Sequence, residues 1–373
     1  MKKFNLIATT TFGIEAITKK EIEKLGYKNL AVENGKVELA GGVQDIARLN
    51  IWLRTAERVL IKMGEFGATS FEELFNQTEM IDWASLIPVN GKMHVVGKSV
   101  KSQLYSVPDC QSIVKKAIIK SMSKSYDTDH FAEDGPVYKI EVALLKDVVT
   151  LSIDTSGAGL HKRGYRAYAG AAPLKETLAA ALVMMSRWKF SQPLIDPFCG
   201  SGTILIEAAM FARNIAPGLN RSFVCEEWPG FEARVFSQVR EEANARAFRD
   251  KEYKLMGYDI DDQVLRQARS NAKAAGVGDD IEFHQRDFAD FSSSVGAACL
   301  VTNPPYGERL SEEVEVRRLN EMMGDLRDEY PHWGINVFTA FGGFERDFGE
   351  AANKNRKLYN GRILTRFYQY YAM

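Results

Sequence analysis

Two short segments of the sequence carry residue types that could hold a nucleotide-like ligand and act on an amine. In the first segment, an apolar run ends at Asp196, and Gly200 and Gly202 separate this acid from a second apolar run that opens at Thr203. Glycine lets the backbone approach a ligand closely, and the N-terminus of a helix presents N–H groups without intrahelical partners. The segment therefore predicts a strand, a ligand-binding turn and a helix.

The glycine turn differs from the common phosphate-binding patterns. A dinucleotide fold places an acid about 20 residues after G-x-G-x-x-G, whereas here the acid comes before the glycines. The sequence contains no G-x-x-x-x-G-K-[ST], and the nearest similar stretch, 91–99, has one residue too many. The pattern D-P-x-x-G-S-G-T instead resembles motif I of S-adenosylmethionine (SAM) methyltransferases, in its amino-methyltransferase form. A generic turn of an α/β enzyme stays open as the alternative at this point.

The second segment is Asn303-Pro304-Pro305-Tyr306, which follows a short apolar strand. Paired prolines lack backbone donors and restrict φ, so the chain must leave the sheet in a rigid turn. A strand terminator needs neither the asparagine before the prolines nor the aromatic residue after them. The segment resembles motif IV of enzymes that methylate an exocyclic or side-chain amine. Together the two motifs predict an amino-methyltransferase that uses SAM as its cofactor.

The resemblance implies roles for three residues of the second motif. The side-chain oxygen of Asn303 and the carbonyl of Pro304 would accept the hydrogens of the amine and localise its lone pair. Tyr306 would stack on the base that carries the amine. The predicted catalytic residues are Asn303, Pro304, Pro305 and Tyr306.

Acids at the ends of two further predicted strands complete the cofactor site. Asp259 follows a strand at 253–257, where a carboxylate can accept both ribose hydroxyls, and Asp287 follows a strand at 281–285, where it can accept from the adenine amine. A loop carboxylate or a helix cap is the alternative for each acid. The predicted cofactor-binding residues are Asp196, Phe198, Gly200, Gly202, Thr203, Asp259, Ile260, Asp287 and Thr177.

Composition limits the other classes of function. The 373 residues carry a net charge of −1, so nucleic-acid binding would need a local basic patch. Four cysteines without CxxC spacing and five dispersed histidines predict no metal site and a reducing compartment. The N-terminus shows no signal-peptide pattern and no apolar span approaches 18 residues, so we expect a soluble, cytoplasmic protein.

The N-terminal part alternates short strands and helices, which predicts an α+β region. Apolar spacing indicates a ferredoxin-like segment over 1–66 and a second unit over 67–155, followed by the catalytic domain at 156–373. Residues 98–124 hold six lysines and one acid, a local charge of +5. A solvated helix face is the simple explanation, but beside the methyltransferase motifs an RNA-binding surface is the better interpretation.

The order of elements and this basic stretch resemble a THUMP domain, an RNA-binding module of RNA-modifying enzymes. The linker His161-Lys162-Arg163-Gly164-Tyr165-Arg166 adds cations and an aromatic ring suited to phosphates and a stacked base, unless it is only a polar interdomain loop. The predicted RNA-binding residues are Lys98, Lys101, Lys115, Lys116, Lys120, Arg163, Tyr165 and Arg166.

The series H-K-R-G-Y-R, P-L-K-E, D-P-F-C-G-S-G-T and N-P-P-Y-G-E-R-L resembles the bacterial 23S rRNA guanine-N2 methyltransferases. This resemblance implies a class I, Rossmann-like α/β catalytic domain behind the α+β RNA-binding region, and a guanine of rRNA as substrate. A tRNA guanine-N2 methyltransferase, an adenine-N6 DNA methyltransferase and a non-catalytic RNA-binding assembly factor remain alternatives. The insertion at 214–250 predicts a lid or a packing helix, and 354–362 forms a second basic cluster.

Overall fold

Each half of the chain builds one seven-stranded sheet. The computed structural model describes residues 2–166, 174–306 and 310–373. The first sheet has the order β2-β3-β1-β4-β7-β6-β5. Its elements are β1 (Phe4–Thr10), α1 (Glu15–Lys24), β2 (Ala31–Glu33), β3 (Lys36–Gly41), α2 (Val43–Trp52), β4 (Ala56–Gly67), α3 (Phe71–Glu79), β5 (Lys92–Val100), α4 (Val107–Tyr126), β6 (Val137–Leu145) and β7 (Val148–Asp154).

The long strand β4 joins the ferredoxin-like segment and the following unit into one sheet. One of its edges pairs with β1 and the other with β7, so that Leu60 lies between Ile7 and Asp154. The predicted alternation at 32–39 divides into the hairpin β2–β3, because Gly35 takes a positive φ of 76° at the turn. The helix predicted at 109–122 extends over the whole of α4.

The second sheet has the order β10-β9-β8-β11-β12-β14-β13. Strands β8 to β12 are parallel, and β14 runs antiparallel to both β12 and β13. Its elements are α5 (Glu176–Met185), β8 (Leu194–Asp196), α6 (Thr203–Ala212), α7 (Ala233–Ala245), β9 (Leu255–Asp259), α8 (Asp262–Ala274), β10 (Ile281–Gln285), β11 (Cys299–Thr302), α9 (Leu310–Glu329), β12 (Gly334–Thr339), α10 (Phe344–Phe348), β13 (Lys354–Asn360) and β14 (Ile363–Tyr370).

The topology of this sheet decides where a ligand can bind. The chain adds β9 and β10 on one side of β8 and then returns to place β11 on the other side. In parallel α/β sheets, ligands bind in the crevice outside the carboxyl ends of the strands at such a reversal. The two motifs of the sequence follow β8 and β11, so the fold brings them to the same edge.

The insertion at 214–250 is a packing element. Its helix α7 lies against α2, and Phe236 is buried in the hydrophobic core of the N-terminal half. Trp228 stacks on Tyr138 with ring centroids 4.5 Å apart, and its indole N–H donates to the carbonyl of Val137 at 2.9 Å. This aromatic contact attaches the catalytic half to the first sheet.

Two features of the C-terminal part were absent from the expectations drawn from sequence. The basic cluster at 354–362 is largely the edge strand β13, paired with β14 in a hairpin, and helices α9 and α10 precede it.

The four cysteines are buried and unpaired. No helix in the described part of the chain combines the length and apolarity needed to cross a bilayer.

Candidate active site

A cleft of about 480 Å³ opens at the carboxyl ends of β8, β9, β10 and β11. All four residues of the Asn-Pro-Pro-Tyr segment line it, together with four of the predicted cofactor residues. The lining residues are Pro197, Phe198, Asp259, Ile260, Arg286, Asp287, Phe288, Asn303, Pro304, Pro305, Tyr306, Glu315 and Leu319. The two motifs therefore share one site.

The glycine turn after β8 has room for a ligand at Gly200. Gly200 and Gly202 both take positive φ, 51° and 80°. A Cβ on Gly200 would meet no atom within 4 Å, whereas one on Gly202 would lie 3.1 Å from the Phe283 ring. The first glycine thus leaves open space beside the backbone, and the second allows the turn to pack closely on the sheet.

The carboxylate of Asp259 joins the glycine turn to the end of β9. Its Oδ2 accepts the backbone N–H of Gly200 at 2.9 Å, and its Oδ1 accepts that of Asp261 at 3.0 Å. Each carboxylate oxygen can accept a further hydrogen bond. The residue lines the cleft, so these free acceptor positions fit the two hydroxyls of a ribose.

An apolar wall with one acid stands beside Asp259. The rings of Phe198 and Phe288 lie 4.7 Å apart, and the side chain of Ile260 is 65% exposed beside the cleft. Asp287 accepts the N–H of Ala289 at 2.9 Å and retains its second carboxylate oxygen. Apolar surfaces with one acceptor match a purine ring that carries an amine.

Asp196 connects the ends of β8 and β11. It is buried, and its Oδ1 accepts the Thr302 hydroxyl at 2.6 Å and the Phe198 N–H at 3.2 Å. Burial above all, with a contribution from the negative charge of Asp259, raises its pKa to about 7 against these hydrogen bonds. The side chain does not line the cleft, and a direct contact with the cofactor stays a prediction.

The Asn-Pro-Pro-Tyr loop places its two polar side chains together. The hydroxyl of Tyr306 donates to the side-chain oxygen of Asn303, and burial raises the pKa of Tyr306. Pro304 is buried and Pro305 is exposed. An amide oxygen accepts two hydrogen bonds, so Asn303 keeps one acceptor position for a substrate amine.

The prediction that Arg163 and Tyr165 contact RNA is wrong for this structure. Both side chains are at least 95% buried, and both bond to Glu207 on α6. Arg163 also donates to the carbonyl of Leu160 at 2.7 Å. A buried cation needs a buried partner, and the sequence did not indicate that Glu207 would point inward.

Arg166 belongs to the same interior network. It is half-buried, and it donates to the hydroxyl of Thr203 and to the carbonyl of Leu174. Its guanidinium lies 3.5 Å from the carboxylate of Glu176. In this structure both Arg166 and the predicted cofactor residue Thr203 hold the base of the glycine turn, and a direct ligand contact by Thr203 stays a prediction.

Thr177 lies at an interdomain contact that sequence reasoning missed. Its hydroxyl donates to Glu57 of β4 at 2.7 Å, and it does not line the cleft. Lys175 and His161 contact the same carboxylate at 3.2 Å and 3.5 Å. Burial alone would raise the pKa of Glu57, but these partners lower it to about 2. No sequence signal links Glu57 to a segment more than a hundred residues away.

The lysines of the predicted RNA surface divide into two groups. Lys98 pairs with Glu141 at 2.7 Å, and Lys115 pairs with Glu133 at 2.7 Å. On α4, Lys120 and Lys124 both reach Glu79. Lys101 and Lys116 form no ion pair with any residue that the structure describes. The local charge of +5 is therefore partly neutralised by acids from other elements.

Comparison with protein-family models divides the chain in the same order. Residues 163–369 match the model described as RMKL-like, methyltransferase domain. Residues 5–60 match the RlmL ferredoxin-like domain, and residues 68–154 match the THUMP domain. Within the series of motifs, residues 173 and 307–309 lie outside the described part of the structure.

Individual relatives cover the whole chain. YpsC of Bacillus subtilis (strain 168), provisionally named an RNA methyltransferase, is 46% identical over 374 residues, which span 100% of this chain and 97% of YpsC. A Listeria monocytogenes str. 4b F2365 structure, described as a predicted N6-adenine-specific DNA methylase, is 49% identical with a TM-score of 0.94, and the match covers 100% of this chain and 97% of that one.

A third relative was crystallised with a product of methyl transfer. SMU.472, provisionally named a methyltransferase and complexed with SAH, is 42% identical with a TM-score of 0.93, and the match covers 100% of this chain and 99% of that one. The open glycine turn, the free acceptors of Asp259 and the apolar wall fit the same class of ligand. The chain therefore belongs to the RMKL-like methyltransferase family, with a SAM-dependent catalytic domain behind a ferredoxin-like and a THUMP domain.

Proposed function

We propose that this protein transfers the methyl group of SAM to the exocyclic N2 amine of a guanine in RNA, with 23S rRNA as the substrate. The observation that supports this function most is the single cleft that Asp259, Asp287 and the Asn-Pro-Pro-Tyr loop line together. The THUMP match and the name given to YpsC support RNA as the substrate class. The choice of guanine N2 and of 23S rRNA rests on the resemblance of the motif series.

The chemistry begins with an amine that is a poor nucleophile, because its lone pair is delocalised into the purine ring. The free acceptor position of Asn303 Oδ1 and the carbonyl of Pro304 would hold the two amine hydrogens and localise the lone pair on nitrogen. Bound SAM would supply an activated methyl group and leave as SAH, and the methylated nitrogen would release one proton to water, so the protein needs no strong base. Orientation of the amine by the rigid loop then supplies much of the rate.

Tyr306 has two roles in this proposal. Its hydroxyl holds the amide of Asn303 in one orientation, and its ring stacks on the guanine. The target nucleotide must come from a loop or leave its helix to reach the cleft. Stacking on an aromatic ring contributes roughly 1–3 kcal/mol per base by alanine substitution.

The proposal also assigns residues to the cofactor and to the RNA. Asp259 would hold the ribose and Asp287 the adenine amine, between Phe198 and Ile260. We propose the domain division 1–66, 67–155 and 156–373, although strand β4 crosses the boundary between the first two domains. Lys101 and Lys116 are the strongest candidates for phosphate contacts because no described acid neutralises them.

Methylation of nucleic acids by the purified protein tests the function. We would incubate it with SAM and, separately, with 23S rRNA, 16S rRNA, tRNA and duplex DNA, and then measure modified nucleosides by mass spectrometry. N2-methylguanosine in 23S rRNA is the expected product. The same nucleoside in tRNA alone would show that tRNA is the substrate.

The Listeria relative gives one specific reason to include DNA, because its description names adenine N6 as the target. Formation of N6-methyladenine in duplex DNA would show that the protein is an adenine-N6 DNA methyltransferase and contradict the proposed reaction. Bound SAM without any methylated product would instead favour a non-catalytic RNA-binding factor. The protein would act where rRNA is assembled, in keeping with the cytoplasmic location expected from sequence.

A further inference from the structure

The β13–β14 hairpin carries a surface that the catalytic roles leave unused. Paired residues of an antiparallel hairpin share a face, and Lys357 opposes Arg366 while Tyr359 opposes Leu364. These two neighbouring pairs form one continuous patch, here termed the hairpin face. Lys357 and Arg366 are exposed, Leu364 is 47% exposed, and Tyr359 is half-buried.

Two cations at directly opposed positions repel each other, which destabilises a sheet. Neither Lys357 nor Arg366 forms an ion pair with an acid in the described part of the chain, and Arg366 only donates to the neutral side chain of Asn355 at 3.2 Å. An anionic partner that lies across both residues would relieve this repulsion. The arrangement therefore points to a ligand that carries negative charge.

Protection of a sheet edge does not account for both cations. Lysine on an edge strand commonly prevents pairing with other chains, and β13 is an edge strand. Arg366, however, lies on β14 and pairs with Lys357 on one side and with Thr339 of β12 on the other. An interior strand needs no such protection, so the second cation requires another explanation.

The hairpin links the cleft to the N-terminal half. At its tip, the side chain of Asn360 lies beside the hydroxyl of Tyr306, which lines the cleft. Further down, a Cβ on Gly13 would lie only 2.7 Å from the carbonyl of Lys357, so the loop between β1 and α1 packs directly on β13. Leu358 shares a buried cluster with Ile14. The hairpin face is thus held firmly between the active-site loop and the first sheet.

We propose that the hairpin face binds the RNA strand next to the target nucleotide, with Lys357 and Arg366 on phosphates and Tyr359 and Leu364 against a base. Cations beside an aromatic ring are the elements that bind single-stranded nucleic acid, and Lys357 already lies 5.8 Å from the Tyr359 ring centroid. This proposal rests on RNA being the substrate, but it assigns a different surface from the cleft.

A salt titration of RNA binding tests the hairpin face. The variant is Lys357→Gln with Arg366→Gln, measured by fluorescence anisotropy with a labelled single-stranded RNA from the substrate. The slope of log K against log salt is negative, and the loss of two phosphate contacts should make it less steep by about 1.4. Tyr359→Leu should weaken binding roughly tenfold without changing the slope, since it removes stacking and no charge.

The control changes one arginine and one lysine at the opposite side of the same sheet, where Arg266 pairs with Asp262. Arg266 and Lys273 lie on α8, which packs beside β9 and β10 at the far end of the strand order. Arg266→Gln with Lys273→Gln should leave the salt slope unchanged. Calorimetry should give the same SAM affinity for the wild type and both double variants, which shows that the cleft is intact.

The outcomes separate this proposal from the proposed function. Three results would contradict RNA binding by the hairpin face. They are equal salt slopes for the hairpin variant and the wild type, wild-type binding of duplex DNA that is as tight as binding of the single-stranded RNA, and no RNA binding by the wild type. RNA binding that depends on the hairpin, without methylation of guanine N2, would support the surface and defeat the function. Methylation of guanine N2 with unchanged RNA binding by the hairpin variant would support the proposed function and contradict the proposed role of the hairpin face.

Discussion

The backbone N–H of Gly200 donates to Asp259 Oδ2 at 2.9 Å, so one carboxylate shapes the glycine turn and faces the cleft. We expect Asp259→Ala to weaken SAM binding by about ten- to a hundredfold, because hydrogen bonds to a charged group contribute roughly 1.5–3 kcal/mol. Calorimetric titration with SAM measures the loss. Asp259→Asn keeps one acceptor oxygen and should lose less, and equal losses would contradict the ribose assignment.

Asn303 should affect the methyl-transfer step and leave the cofactor in place. Asn303→Ala removes the acceptor that orients the amine, and we expect turnover to fall by about a hundredfold or more, as for the loss of one oriented polar group in other active sites. Single-turnover methylation and SAM calorimetry separate the two steps. Tyr306→Phe, which keeps the ring and loses only the hydroxyl, should retain much more activity. Unchanged turnover for Asn303→Ala would exclude its proposed role.

Asp196 should make the folded protein less stable as the pH rises. Its pKa is raised to about 7 in the folded state from an ordinary value of 3.8, so the folded protein binds the proton more tightly. Its contribution is full below about pH 4 and is lost as the pH rises to about 7, with a slope of at most about 1.4 kcal/mol per pH unit.

Denaturant unfolding of the wild type and Asp196→Asn across this pH range checks the prediction. The variant cannot ionise, but its amide oxygen can still accept from Thr302 and Phe198. The difference in free energy of unfolding between the two proteins should therefore grow steadily from pH 4 to pH 7. A difference that does not change with pH would show that Asp196 titrates normally.

Glu57 should hold the first sheet against the start of α5. Its pKa is lowered to about 2, so its contribution is present above its ordinary pKa of 4.5 and is lost as the pH falls toward 2. At neutral pH, Glu57→Gln should cost about 1–3 kcal/mol of unfolding free energy, because it leaves Lys175 and His161 without their carboxylate. The same substitution at Glu65, on the same strand but in a surface network with Lys36 and Lys62, should cost much less.

The lysines of the first sheet should contribute unequally to RNA binding. Lys101→Gln with Lys116→Gln removes two cations without a described ion-pair partner, and we expect a clear loss of affinity at low salt. Lys120→Gln with Lys124→Gln removes two cations that must first give up their contact with Glu79 to bind phosphate, so we expect a smaller loss of affinity. Anisotropy measurements at several salt concentrations compare the pairs. Equal losses would show that the pairing with Glu79 opens when RNA binds.

The sequence by itself determined the type of enzyme and most of its elements. The Asp196 turn and the Asn303 loop each combine residue types that one chemistry requires, and such local patterns need no knowledge of the fold. The positions of several strands also follow from local apolar runs, but their order in the sheet does not, because strand pairing joins runs that lie far apart along the chain. Because these patterns are local, eight of the residues that line the cleft could be predicted from the sequence.

Only the tertiary structure decided which charges are free to act. Arg163 and Tyr165 have the composition of an RNA-binding loop, yet they are buried against Glu207, and Glu79 neutralises lysines that look unopposed along the chain. The opposed cations Lys357 and Arg366 became visible only through the register of β13 and β14. Burial and ion pairing depend on which distant residues meet, because electrostatic energy depends on distance in space and on desolvation and not on separation along the sequence.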